Sequence, residues 1–130
     1  MTEKTAESVG NLGYHAHIYF DPEKTRGVVE RVCAGLAEKF SVELDAIRDG
    51  PVGPHPIANA LVIFKPDQFA RLVPYLMQNR EGLDVLVHPL TTDAVVDHTD
   101  FAIWLGNPVP LRLHTLPHGR GGRLPSGVTP

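Results

Sequence analysis

Seven histidines, His15, His17, His55, His88, His98, His114 and His118, are the residues of this 130-residue chain best suited to chemistry. A neutral imidazole binds a transition-metal ion through either ring nitrogen, and near neutral pH it also takes and returns protons. Cys33 is the single cysteine, so no internal disulfide can form and a zinc-finger-like site is excluded. Any metal site must therefore be built from His, Asp and Glu.

His15 and His17 stand two apart in a strand-like stretch, which places both imidazoles on one face, close enough to share an ion. An H-x-H pair by itself describes two solvated histidines equally well. His55 is fixed between Pro54 and Pro56, His88 precedes Pro89, and His98 lies within Asp97-His98-Thr99-Asp100, where flanking carboxylates could raise its basicity or merely make a solvated turn. His118 falls in a Gly- and Arg-rich end and has no specific role. A non-haem Fe(II) centre often combines two His with one carboxylate. Asp21 reads as a helix cap at the wrong end, and spacing singles out none of Asp49, Asp97 and Asp100. A three-histidine set is an equal alternative.

The elements that must position these side chains follow from periodicity. Tyr14 to Phe20 alternates, with Tyr14, Ala16, Ile18 and Phe20 on one face and His15, His17 and Tyr19 on the other. Asp21-Pro22 opens a helix running to about Phe40, its apolar stripe carried by Val28, Val29, Val32, Cys33, Leu36 and Phe40. A weak strand over Ser41 to Ile47 and a stronger one over Ala58 to Phe64 flank a proline-locked loop. A second helix starts at Asp67 with Pro74 in its interior, and Gly82 ends it. A short strand from Asp84 to His88 and a hairpin of Phe101 to Leu105 with Val109 to His114 complete the order βαββαβ plus ββ. This predicts a ferredoxin-like α+β sandwich, of the kind found in dimeric α+β barrels, with both helices on one sheet face.

In the topology expected here the first and third strands are parallel neighbours and the fourth runs antiparallel to the first. The start of the first strand, the start of the third and the end of the fourth would then meet, gathering His15, His17, His55 and His88. The histidine-bearing face is the one the helices leave open. A second subunit or the C-terminal hairpin should cover it, and a homodimer is expected.

Composition closes off other classes. With 42% apolar and 21% charged residues the chain reads as one soluble domain over residues 14–117, flanked by a flexible segment 1–13 and a flexible tail 118–130. The longest apolar run, Ala60 to Phe64, is far short of a membrane span, and the start lacks a signal pattern, so a cytoplasmic location is expected. A net charge of −3 without a basic run argues against nucleic acid.

Taken together, His15-Ala16-His17-Ile18-Tyr19-Phe20, Gly53-Pro54-His55-Pro56, His88-Pro89 and the segment from Asp97-His98 to Trp104 resemble the DOPA 4,5-dioxygenase family over roughly Tyr14 to Pro117. The resemblance implies a small enzyme that opens catechol rings extradiol with Fe(II) and O₂. Its naming substrate, L-DOPA, would give 4,5-seco-DOPA and then betalamic acid. Fold and site serve different catechols, so the resemblance constrains the reaction more than the substrate. Strand geometry then assigns His15, His17 and His88 as metal ligands, with His55 and His98 as acid/base or substrate-orienting groups. Tyr19 and Trp104 are candidates for ring contact, with an ordinary core role the simpler reading of Trp104. Rival readings are a non-catalytic dimer binding a small aromatic molecule, a zinc hydrolase using the same histidines, and a cofactor-free monooxygenase.

Overall fold

The computed structural model describes residues 11–130; the sequence reading of residues 1–10 lies outside the described residues. Five strands form one antiparallel sheet: β1 (Tyr14–Tyr19), β2 (Val42–Leu44), β3 (Asn59–Phe64), β4 (Val85–Pro89) and β5 (Ile103–Leu105), in the order β2-β3-β1-β4-β5. Two long helices, α1 (Arg26–Lys39) and α2 (Phe69–Asn79), cover one face, and a single turn of helix, α3 (Ala94–Asp97), follows β4. The architecture is the ferredoxin-like α+β sandwich. No helix in the described residues is long and apolar enough to cross a membrane.

Strand alternation explains the two faces. Tyr14, Ala16, Ile18 and Phe20 pack with Ala60, Val62, Phe64, Val85 and Val87 against Val29, Leu36, Leu72 and Leu76 of the helices. Each fully buried Leu or Val there contributes about 1.5–3 kcal/mol. The alternate residues, His15, His17, Tyr19, Asn59, Leu61, Ile63, Leu86 and His88, project from the opposite face.

Several expectations need correction. β1 runs antiparallel to β3 as well as to β4, pairing Tyr14 with Phe64 and Tyr19 with Asn59. The start of β1 therefore meets the end of β3, and His55 does not arrive by strand register; the loop before β3 folds back over the open face. The long helix starts at Arg26 rather than Pro22, because Asp21 caps a separate turn, accepting Glu23 N at 2.9 Å through Oδ1 while its carbonyl accepts Lys24 N and Thr25 N. Of the predicted C-terminal hairpin only Ile103–Leu105 is a strand. Val109 to His114 instead crosses to the His55 loop, with Arg112 N donating to Pro54 O at 2.8 Å, and ends in a 3₁₀ turn at Leu113–Thr115. Pro108 and Pro110 lack the donors that a second ladder would need. The helix around Pro74 is continuous, preceded by a 3₁₀ turn at Pro66–Gln68.

Candidate functional site

Sheet register brings His15, His17 and His88 together. His15 pairs with His88 across β1 and β4, and His17 stands one pleat further along β1. All three are at most 5% exposed. The loop 50–58 brings His55 over this face, its ring centroid 3.9 Å from that of His17. His98 follows α3, whose first turn is capped by the Asp93 side chain accepting from Val95 N and Val96 N. Its ring lies 3.9 Å from that of His88, centroid to centroid. Five imidazoles thus converge on one cavity of about 340 Å³, walled also by Asp45, Leu116 and the 121–123 segment. His114 and His118 do not line it.

The outer ring nitrogens are already committed. His88 Nδ1–H donates to Pro89 O at 2.8 Å, His98 Nδ1–H to Ala94 O at 2.7 Å and His15 Nε2–H to Arg123 O at 2.6 Å. Asn59 Nδ2 donates to Ile57 O at 3.1 Å, which leaves its Oδ1 to accept from His17 Nδ1–H at 3.3 Å. Backbone carbonyls can only accept, so these bonds fix four tautomers. In consequence Nε2 of His17 and Nε2 of His88 both carry lone pairs, and they face each other at 3.2 Å.

No proton resolves that contact cheaply. Burial holds His17 and His88 well below the ordinary imidazole range, and neighbouring imidazoles add to the effect. Burial likewise pushes His15 and His55 down to about 4, against the opposing Arg123 carbonyl at His15. His98 is lowered by burial too, with Ala94 O and Asp97 acting in the other direction. A metal ion does resolve it: two nitrogens bound to one ion at about 2.1 Å lie about 3.4 Å apart in tetrahedral geometry, near the observed contact. One nitrogen from each of His15, His17 and His88 falls within 4.8 Å of the others, and the same holds for His17, His55 and His98. His17 belongs to both sets.

Among the described residues no carboxylate joins either set, although Asp45 lines the cavity. Asp97, buried and raised in pKa by desolvation, accepts Thr91 N at 2.9 Å and the Thr91 hydroxyl, so it braces the α3 turn. Asp49 pairs with Arg26 on the surface, and Asp100 is exposed. Tyr19 hydrogen-bonds His55 Nδ1 at 2.7 Å and stacks with Trp104 at 5.9 Å. Trp104 is not a core residue; with His98 and Leu113 it lines a second recess of about 260 Å³. Asn59 and the Arg123 carbonyl were missed in the sequence. A lone amide heading an apolar strand was the available signal for Asn59, whereas a backbone carbonyl leaves none.

A ferredoxin-like sheet carrying a carbonyl-braced polyhistidine cluster in a half-open cavity defines the class of protein. The Dopa 4,5-dioxygenase family profile matches residues 14–115, and the chain belongs to that family. It is 33% identical over 112 residues to a DOPA 4,5-dioxygenase of Amanita muscaria, covering 80% of this chain and 49% of that protein. An uncharacterized 21.2 kDa protein of Botryotinia fuckeliana is 37% identical over 114 residues, covering 77% of this chain and 61% of its own length. The chain thus spans about half to three-fifths of these curated relatives. The crystal structure of a candidate dioxygenase from Nostoc punctiforme superposes with a TM-score of 0.82 at 46% identity, covering 85% of this chain and 96% of that one.

Proposed function

We propose that the protein is an extradiol dioxygenase that opens the ring of a catechol, L-DOPA or a relative, with O₂ at a histidine-held Fe(II). The observation that carries this reading is the pair of facing Nε2 lone pairs of His17 and His88 at 3.2 Å, inside a chain of the Dopa 4,5-dioxygenase family. His15, His17 and His88 would hold the metal, because they stand on paired strands and each has its outer nitrogen braced. Bound Fe(II) would supply Lewis acidity toward the catechol oxygens and one-electron chemistry toward O₂. Both atoms of O₂ enter the product, and the ring supplies the electrons, so no outside reductant is consumed.

The remaining histidines handle protons. His98, its Nδ1–H committed to Ala94 O, presents Nε2 as an acceptor and suits a base for a catechol hydroxyl. His55 is adaptable. When its Nδ1–H donates to the Tyr19 oxygen, Nε2 presents an acceptor to the substrate; when the Tyr19 hydroxyl turns and donates to Nδ1, Nε2–H presents a hydrogen-bond donor instead. Burial raises the Tyr19 pKa, which keeps the phenol protonated for that second state. Trp104, stacked on Tyr19 beside His98, offers a flat face for an aromatic ring.

The division of roles predicts that His55→Ala and His98→Ala each retain one iron per chain while turnover falls by about 10²–10⁴. Iron analysis beside oxygen uptake reads both. Loss of iron in His98→Ala with retention in His15→Ala would transfer the metal to the His17, His55 and His98 set.

The reading includes a cytoplasmic location, where the buried free thiol of Cys33 and Fe(II) stay reduced, and a homodimer. Val52 and Ile57 on the loop bearing His55, with Phe101 and Ile103 at the β5 edge, are exposed apolar groups that a second copy would cover. Light scattering at micromolar concentration should give twice the 14.2 kDa chain mass. A monomer mass would contradict the dimer.

A further inference from the structure

We infer that residues 119–126 are a strap built into the metal centre, and that Glu43 is the positioning residue that latches it. The inference rests on the proposed role of His15 as a ligand. Glu43, Ile63, His15 and His88 form one row across β2, β3, β1 and β4 on the open face. From the far end of that row the Glu43 carboxylate accepts Ser126 N at 2.7 Å, the Ser126 hydroxyl at 2.6 Å and Arg123 Nη2 at 3.0 Å. At the other end of the strap Gly119 O accepts Ala94 N at 2.7 Å.

Between these anchors the backbone lies directly on the ligand. A Cβ added at Gly122, whose φ is +87°, would sit 3.1 Å from His15 Cε1. One residue on, the Arg123 carbonyl takes the Nε2–H of His15 and so commits Nδ1 to the metal side. His88 is braced by its own neighbour Pro89 and His17 by Asn59 of the adjacent strand. The brace for His15 comes from 108 residues away, on a segment in neither a strand nor a helix. Such a carbonyl keeps its place only through outside anchors, and Glu43 supplies three hydrogen bonds. Arg123 serves through its main chain; its side chain is neutralised by Glu43 and by Asp45 at 3.8 Å.

The test is an anaerobic Co(II) titration of the full-length chain, following the visible d–d band. In Glu43→Ala and Gly122→Ala the dissociation constant should rise about 10–100-fold with stoichiometry unchanged and the band altered, the usual cost of losing a group behind a ligand. Glu43→Gln, which keeps an acceptor for Ser126, should recover most of the affinity. Circular dichroism melts of the metal-free variants should stay within a few degrees of wild type. Wild-type affinity and spectrum in both Glu43→Ala and Gly122→Ala, with binding still lost in His15→Ala, would overturn the strap alone. Undiminished binding in His15→Ala would overturn the ligand role and the strap together.

Discussion

His17→Ala is expected to abolish metal binding and, with it, all oxygen uptake. His17 is the one histidine common to both three-nitrogen sets, so no rearrangement among the remaining rings restores three donors around the 3.2 Å contact with His88. Losing a group behind a ligand costs about 10–100-fold in affinity, and losing a ligand itself costs more. The fold should survive, because His17 faces the cavity and the helix-packed core lies on the other side of β1. Equilibrium dialysis against Fe(II) under anaerobic conditions measures the loss directly. One iron per chain in His17→Ala would remove His17 from the centre.

The second large effect concerns acid. In the unfolded chain the histidines titrate near 6.5; in the folded, metal-free protein burial holds His15 and His55 at about 4, and His17 and His88 well below their ordinary value. Between pH 6.5 and 4 the unfolded state therefore binds more protons, and stability falls as pH falls. A change from 6.5 to about 4 corresponds to roughly 3 kcal/mol for each group. Two such groups already reach the scale of a small domain's whole stability, about 5–15 kcal/mol. Asp97, raised by burial, works in the opposite sense, but it is one group against several. The metal-free protein should be near its maximum stability above pH 6.5 and unfold before pH 4. Urea midpoints at a series of pH values read this, and a flat profile across the window would contradict it. Protons compete with the metal for the same nitrogens, so acid should release bound metal over a neighbouring range.

Much of this was legible in the residues. The alternation from Tyr14 to Phe20 separated a helix-packed face from a histidine-bearing one, and the structure keeps that separation. Each of the five histidines singled out for the site lines the cavity. The route by which they arrive was less legible. Strand direction is set by the whole sheet, and the assumed parallel pairing of the first and third strands placed His55 in the right company for the wrong reason. Its position depends on the loop 50–58, held by Pro54 O to Arg112 N and by Tyr19 to His55, contacts that join distant segments. Gly119 to Ser126 has the composition of a solvated tail; its brace on His15 is the main-chain carbonyl of Arg123, and Ser126 N is one of its links to Glu43, neither of which composition reports. Asp97 and Asp100 looked equivalent in sequence, but the structure buries Asp97 against Thr91 and leaves Asp100 exposed.

The central claim is that this histidine cluster is an iron centre for opening catechol rings. Its most direct test loads the protein anaerobically with Fe(II), then admits air with L-DOPA, caffeate or protocatechuate, following oxygen uptake and the yellow of a ring-opened product. The account predicts one O₂ consumed per catechol opened, lost in His17→Ala and lost on chelation. Oxygen uptake that persists with chelator would indicate a cofactor-free monooxygenase. Bound iron with no uptake on any catechol would contradict the account and leave a binding site for a small aromatic molecule.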